Sequence, residues 1–286
     1  MEPAQEPSGP WLQALVYDVD SNLTVAIGWD PSIVASRVWA YDLEADTWTA
    51  LGVAPMSLQG RIDIAYDAAS GLIVAMAPTS QVEADPWELW SYDVETDRWA
   101  AIPQAGSRPV GPDPAFQWLA YDASVGRLVW YRLPSQATFP YAFETWLFDL
   151  RSGTWSQSVA ATPAVFDGGF PPVSWGNEIA YDEATRLTVV FSAPRTIAYD
   201  AAADRWDVLM QGFDPGQPGG GNRDTPSLVY DSVNKRLVVY GGRHPSADLN
   251  SEGSPVWVRA NDVLTFDPVT REWTVLLPAS VVQPEP

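Results

Sequence analysis

Apolar and polar residues alternate with period 2 through most of the chain, in short runs rich in Val, Ile, Leu, Thr, Tyr and Trp. The clearest case is PSLVYDSVNKRLVVYGG, starting at Pro226, answered after a long connection by NDVLTFDPVTREWTVL, ending at Leu276. Successive strand residues point to opposite faces, so this alternation predicts strands, and the Asp-, Asn- and Pro-bearing breaks predict tight turns. Four strands result, joined as two hairpins into one small antiparallel sheet. So thin a sheet cannot bury both faces alone and needs neighbours of its own kind.

The same unit recurs five times. Its first hairpin carries Tyr-Asp before a turn and an apolar run, at Tyr17-Asp18, Tyr66-Asp67, Tyr121-Asp122, Tyr181-Asp182 and Tyr230-Asp231. Its second carries an aromatic-Asp pair with a Trp six residues after the Asp: Asp42 with Trp48, Asp93 with Trp99, Asp149 with Trp155, Asp200 with Trp206 and Asp267 with Trp273. The steps between successive tyrosines of the first set are 49, 55, 60 and 49 residues. A period near 50 with four strands per unit is the pattern of a β-propeller blade. The predicted fold is all-β: a β-propeller of five four-stranded antiparallel blades, or part of a six- or seven-bladed ring. The blades fall at about 11–51, 61–102, 116–157, 177–209 and 226–277. The Pro-rich ends, 1–10 and 279–286, read as tails outside the 11–278 domain. No window of 11 or more residues holds a helical apolar spacing free of Pro and Gly.

With the strands of a blade named A to D from the inside outwards, the A–B and C–D turns are short and uniform. Their Asp residues predict side-chain caps on the turn backbone. The repeated Trp predicts packing between adjacent blades. The B–C connections (28–37, 77–89, 132–145, the very short 192–195, and 241–261) differ from one another, as do the D–A connections (52–60, 103–115, 158–176 and 210–225). Antiparallel order puts these variable connections on one face and the uniform turns on the other, so function is expected on the variable face.

Composition narrows the partners. With 36 acidic against 16 basic residues the formal net charge is −20 and the pI about 4.1. Such a surface repels phosphate backbones and anionic lipid, which argues against nucleic acid and membrane partners. The absence of Cys excludes disulfides, thiolate catalysis, Fe–S clusters and Cys-ligated zinc. No apolar run approaches the roughly 18 residues of a membrane helix, and the polar, Pro-rich N-terminus does not read as a signal peptide. An acidic, Cys-free, Pro-ended chain fits an extracellular or cell-envelope setting.

Aligning the A strands on their Tyr places Ala14, Asp63, Trp118, Glu178 and Ser227 three residues earlier, at the loop-rich end. Asp63 and Glu178 would project near the mouth of a central channel, with Arg61 and Arg223 close in sequence. Two carboxylates there could act as acid and base on a glycoside, hold a calcium ion, or stand hydrated without a special role. The long connections hold Trp29, Trp87, Phe116, Phe139, Tyr141, Phe143, Phe166, Phe170, Trp175, Phe213 and Trp257, which could stack on sugars, anchor a protein, or fold inward as satellite cores. The candidate ligand-binding set is Asp63, Trp118, Glu178, Arg61, Arg223, Trp29, Trp87, Trp175 and Trp257. No zinc spacing, nucleophile elbow or other metal motif is present, and no cofactor is called for.

Leu237–Tyr240 followed by Gly241-Gly242, then Phe266 and Trp273, resembles a kelch repeat. Among the five units only the fifth keeps the Gly pair; Gly28-Trp29, Ala77-Pro78, Arg132-Leu133 and Ser192-Ala193 stand there in the others. The resemblance implies a propeller serving as a protein-interaction module. The galactose-oxidase-like branch of that family is a copper enzyme needing a Cys–Tyr cross-link and His ligands. A chain with no Cys and the single histidine His244 cannot carry that chemistry. The leading expectation is a non-enzymatic module presenting an aromatic and acidic loop face to a protein or glycan. The alternatives are a glycoside-active enzyme using Asp63 and Glu178, and a structural domain of a larger surface protein.

Overall fold

The computed structural model describes residues 11–55, 62–78, 87–109, 116–133, 143–162, 178–192, 195–211, 223, 225–249 and 255–278; the expected tails lie outside them. Blade 1 is built from β1–β4 (Trp11–Asp18, Leu23–Asp30, Ala35–Asp42, Thr47–Val53), and blade 2 from β5–β8 (Asp63–Asp67, Leu72–Pro78, Trp87–Asp93, Arg98–Ala101). Blade 3 holds β9–β12 (Phe116–Asp122, Arg127–Leu133, Glu144–Asp149, Thr154–Gln157), and blade 4 holds β13–β16 (Glu178–Asp182, Leu187–Ser192, Arg195–Asp200, Arg205–Met210). In blade 5, β17 and β18 (Ser227–Asp231, Arg236–Tyr240) pair onward with β21 and β22 (Val263–Asp267, Glu272–Leu277). Between them β19 (Arg243–Leu249) and β20 (Pro255–Arg259) form a separate two-stranded sheet. No helix occurs among the described residues. Five four-stranded antiparallel blades, each meandering in chain order, make a five-bladed β-propeller, as expected.

All ten A–B and C–D turns share one build. In each, the Asp that ends a strand is the register partner of the residue five along, leaving four residues in the loop. In each, that Asp accepts the N–H two residues on, at 2.8–3.1 Å. The last loop residue is always left-handed, with φ between +48° and +70°. Asp, Asn and Gly enter that region most easily. In the second hairpins it decides which aromatic can precede. Tyr41, Tyr92 and Tyr199 donate their hydroxyls to Asp46, Asp97 and Asp204 at 2.8, 2.6 and 2.6 Å. Where Gly153 or Arg271 occupies the left-handed position, the aromatic is Phe148 or Phe266, which needs no acceptor.

Blades 1–3 belong to one compact unit, and blades 4 and 5 to a second. Within each unit the joints are alike. Residues at the A-strand Tyr and two before it face the preceding blade, while those between face the following one. Thus Ile64, Tyr66, Ile73 and Tyr92 of blade 2 pack with Val16, Val25, Ile27 and Val38 of blade 1. Leu119, Trp130, Phe148 and Trp155 of blade 3 meet Val74, Met76, Trp87 and Leu89 of blade 2, and blade 5 meets blade 4 in the same way. The repeated Trp sits across the ladder from the C-strand aromatic in all five blades, with centroids 4.7–5.0 Å apart. Trp155 stacks tilted on Trp130 at 6.0 Å and donates its indole N–H to Gln104 of the blade 2 tail at 2.7 Å. Trp273 lies 5.1 Å from Phe191 of blade 4. None of the five is out in solvent.

The A-strand Tyr also has a polar role. Tyr66 faces Asp18 and Asp20 of blade 1, and Tyr230 faces Asp182 of blade 4; burial first, then these carboxylates, push both hydroxyls above the ordinary tyrosine value. Farther out, the D-strand tails rest on the next blade's C–D turn. The Gly52 N–H donates to Asp97 at 2.9 Å and Ala105 to the Gly153 carbonyl at 2.7 Å.

Two outcomes follow. A Cβ on Gly153 would lie 2.7 Å from the Pro103 carbonyl oxygen, whereas one on Gly126 would meet nothing nearer than 4.0 Å. Their φ values are +67° and +65°, so the backbone penalty is shared. Thermal unfolding should show Gly153→Ala less stable than Gly126→Ala by about 1–3 kcal/mol; equal losses would contradict the tail-on-turn joint. The second concerns pH. Backbone N–H bonds from Thr96 and Ser152, and the Asn234 side chain, hold Asp93, Asp149 and Asp231 below the usual carboxylate value. Stabilisation from a depressed carboxylate is complete above its unfolded value, about 3.9, and is lost as pH falls through the folded one. The raised tyrosines contribute below their unfolded value, about 10, and that contribution is lost as pH rises further. Tm against pH should therefore fall below about 4 and above about 10. A rise on acidification would mean that relief of the −20 net charge outweighs the turns.

Candidate functional site

The variable face is built from the B–C and D–A ends of the blades. Asp63 opens β5, half-buried and opposite Met76 in the ladder; Glu178 opens β13, half-buried and opposite Phe191. They hold the same position in blades 2 and 4, which belong to different compact units. Arg61 and Trp175 lie outside the described residues, as do Phe139, Tyr141, Phe166, Phe170 and Phe213.

Several expected loop residues are strand residues instead. Trp29 lies in β2, half-buried, opposite Ser36 on one side and Trp11 on the other. Phe116 opens β9. Trp87 opens β7 and is buried, its ring 5.3 Å from Trp130 in the core between blades 2 and 3, so it has no free face for a ligand. Trp118 is buried within β9 with its ring 5.9 Å from Tyr131 across the ladder. The strands run farther into the variable face than the turn signals imply; for Trp87 the ring that continues the strand buries area against the neighbouring blade.

Arg223 also departs from expectation. It is fully buried, and its guanidinium forks onto both carboxylate oxygens of Asp262 at 2.8 Å while donating to the Gly241 carbonyl at 2.8 Å. A fork held this way is a fastening, not a mobile counter-charge for channel carboxylates. It ties down the point where blade 5 departs from the others. Gly241 and Gly242 both have positive φ, and the Ala260 N–H returns to the Gly242 carbonyl at 2.8 Å. The Gly pair thus launches the β19–β20 hairpin, within a stretch expected to be an irregular loop. On that hairpin the Arg243 guanidinium lies over the half-buried Trp257 ring at 5.0 Å, and His244 stands opposite Val258. The run VWVR in β20 is its one local sequence signal.

Blades 1 and 3 carry related pairs at their B–C ends. Arg37 lies 5.8 Å from the Trp39 ring and binds Asp30 at 3.0 Å and the Leu51 carbonyl at 3.2 Å. The Ser32 hydroxyl and N–H, with Arg37, hold the Asp30 carboxyl below the usual range against the effect of burial. Arg132 lies 4.9 Å over Trp130, with Gln117 as its cross-strand partner. Both are buried, and neither amide atom of Gln117 is hydrogen-bonded. Guanidinium on indole, an arrangement no spacing rule announces, thus recurs at the variable ends of blades 1, 3 and 5. Among the described residues no three His, Asp or Glu side chains gather as a metal cluster.

No protein-family model matches the chain, and no curated protein matches it. Solved structures do. TolB from Acinetobacter baumannii aligns with 13% identity and a TM-score of 0.49, over 88% of this chain and 51% of that one, so the chain spans about half of TolB's length. A chain of the nidogen/laminin complex aligns with 12% identity and a TM-score of 0.53, over 93% of this chain and 80% of that one. At such identities the likeness is one of fold.

Removing one partner of the Arg223–Asp262 fork strands a buried charge. Asp262→Asn or Arg223→Met should lower unfolding stability by about 3–5 kcal/mol in chemical denaturation, with the Arg223→Met/Asp262→Leu double change recovering part of it. Single changes with little effect would return Arg223 to the candidate ligand contacts.

Proposed function

We propose that the chain is a non-enzymatic, kelch-like binding module whose variable face engages a protein partner. The carrying observation is the asymmetry between its two faces. One face holds ten turns of a single build. The other differs from blade to blade and carries the Arg37–Trp39 and Arg243–Trp257 pairs and an added hairpin. Trp and Arg together dominate protein interfaces, because a flat ring and a planar guanidinium bury much area with little loss of freedom. The acidic surface favours a basic partner and fast association at low salt. The propeller of similar fold in the nidogen/laminin complex belongs to an assembly of proteins, which supports a partner of that class. An extracellular or envelope setting accords with the acidic, Cys-free composition.

The test is a proteome display screen alongside a glycan array, using the whole chain. Any captured protein is then titrated against Arg243→Ala/Trp257→Ala on the variable face and Leu43→Ser/Val269→Ser on the turn face, positions where Leu43 and Val269 are exposed. The first variant should weaken binding at least about tenfold, and the second should leave it unchanged. The reverse pattern, glycan binding alone, or glycoside hydrolysis lost in Asp63→Asn would overturn the reading.

A further inference from the structure

The β19–β20 ribbon stands apart from the sheet of the blade that carries it. Among the described residues neither strand pairs with a third, so each has one edge that no described strand occupies. Two strands alone are marginal in water and gain stability from further strands. Every blade of this protein has four.

The ladder shows which edge can accept another strand. The Ala260 N–H bonds to the Gly242 carbonyl, which makes 242 and 260 a hydrogen-bonded pair. Hydrogen-bonded and non-hydrogen-bonded pairs alternate along an antiparallel ladder. Arg243 faces Arg259, His244 faces Val258 and Pro245 faces Trp257. His244 and Val258 therefore turn their backbone groups toward each other, whereas Pro245 and Trp257 turn theirs outward. On the β19 edge Pro245 has no N–H to donate, and the register slips between it and Leu249. On the β20 edge Trp257 offers both a donor and an acceptor. The edge fit for pairing is that of β20.

Its sequence, Pro-Val-Trp-Val-Arg, suits a second β20 running antiparallel. With a two-fold axis at Trp257, that residue faces its own copy and exchanges two backbone bonds with it. Val256 then faces Val258 of the other copy and Arg259 faces Pro255, so no like charges stand opposite each other across the new pairing. Net charge favours the same place. The two strands carry Arg243 and Arg259 against the one acid Asp248, in a chain whose net charge is −20. Two copies approaching through this ribbon meet less repulsion than their overall charge implies.

We propose that the chain forms a two-fold dimer in which β20 pairs antiparallel with β20 of a second copy, joining two ribbons into one four-stranded sheet. The interface is isologous, so it closes at two copies. Self-pairing needs no other protein, so it goes beyond the partner contact assigned to the variable face and does not rest on it.

Multi-angle light scattering of the intact chain across a concentration series tests this. The mean mass should rise toward twice the 31.3 kDa chain mass and stop there. Trp257→Pro, which removes an outward N–H and no ladder bond to β19, should return the mass to that of one chain. Trp257→Tyr, which keeps that N–H and an aromatic ring, should leave the dimer in place. Disulfide formation then reads the register, since the chain has no Cys of its own. Position 256 and position 258 of the other copy form a non-hydrogen-bonded pair with Cα atoms about 4.5 Å apart, within disulfide reach. Copies carrying Val256→Cys mixed with copies carrying Val258→Cys should oxidise to linked dimers, and either variant alone should not. A mass of one chain at every concentration would overturn the proposal and leave the β20 edge to a strand of another kind. So would growth beyond two copies, association indifferent to Trp257→Pro, or linkage as ready in one Cys variant alone as in the mixture.

Discussion

A four-stranded sheet has two faces and too little thickness to hide either, and that shortage governs this molecule. Each blade's apolar positions find cover only on the blade beside it. The repeated Trp contributes to that cover in blades 2, 3 and 5, as Trp99, Trp155 and Trp273. Trp155 touches Trp130 on its own sheet, belongs to the core shared with blade 2 and donates to Gln104 of the blade 2 tail. Burying a ring of this size is worth several kcal/mol by area, before any benefit from aromatic geometry. Stability therefore resides between sheets as much as within them, as in other repeat architectures.

The two ends of the blades answer different demands. At the turn end every hairpin must close in four residues, and an Asp cap with a left-handed last residue does so at all ten sites. That end also carries the tail-on-turn bonds between blades, so it has little room to vary. The variable end shares this duty only through the first residues of its D–A connections, Gly52 and Ala105. It can lengthen strands, stack guanidinium on indole and insert β19–β20, whose base the buried Arg223–Asp262 fork secures.

How much of this is legible in the sequence follows from the range of each interaction. The Tyr-Asp and Trp positions repeat because they serve local turns and identical joints, so blade count, blade limits and all ten caps can be read directly. Trp29 and Trp87 are strand rather than loop residues, and for Trp87 nothing local marks where the strand stops, because its ring is buried by another blade. The β19–β20 hairpin escapes notice because Pro245 and Pro255 interrupt its alternation and its register slips between Pro245 and Leu249. Arg223 reads as a ligand contact because its partner is 39 residues away, and a buried fork leaves no spacing signature. The Arg–Trp stacks are hidden for a similar reason: they form at strand ends that differ from blade to blade.

Stability is shared across the joints, and hydrogen exchange on Trp155→Ala tests this. Removing this ring should cost about 3–5 kcal/mol. Amide protection should then drop in the blade 2 strands Leu72–Pro78 and Trp87–Asp93 as well as in blade 3, because the two share one core. Loss confined to blade 3, with blade 2 protected as before, would show that the sheets stand on their own and would contradict the account.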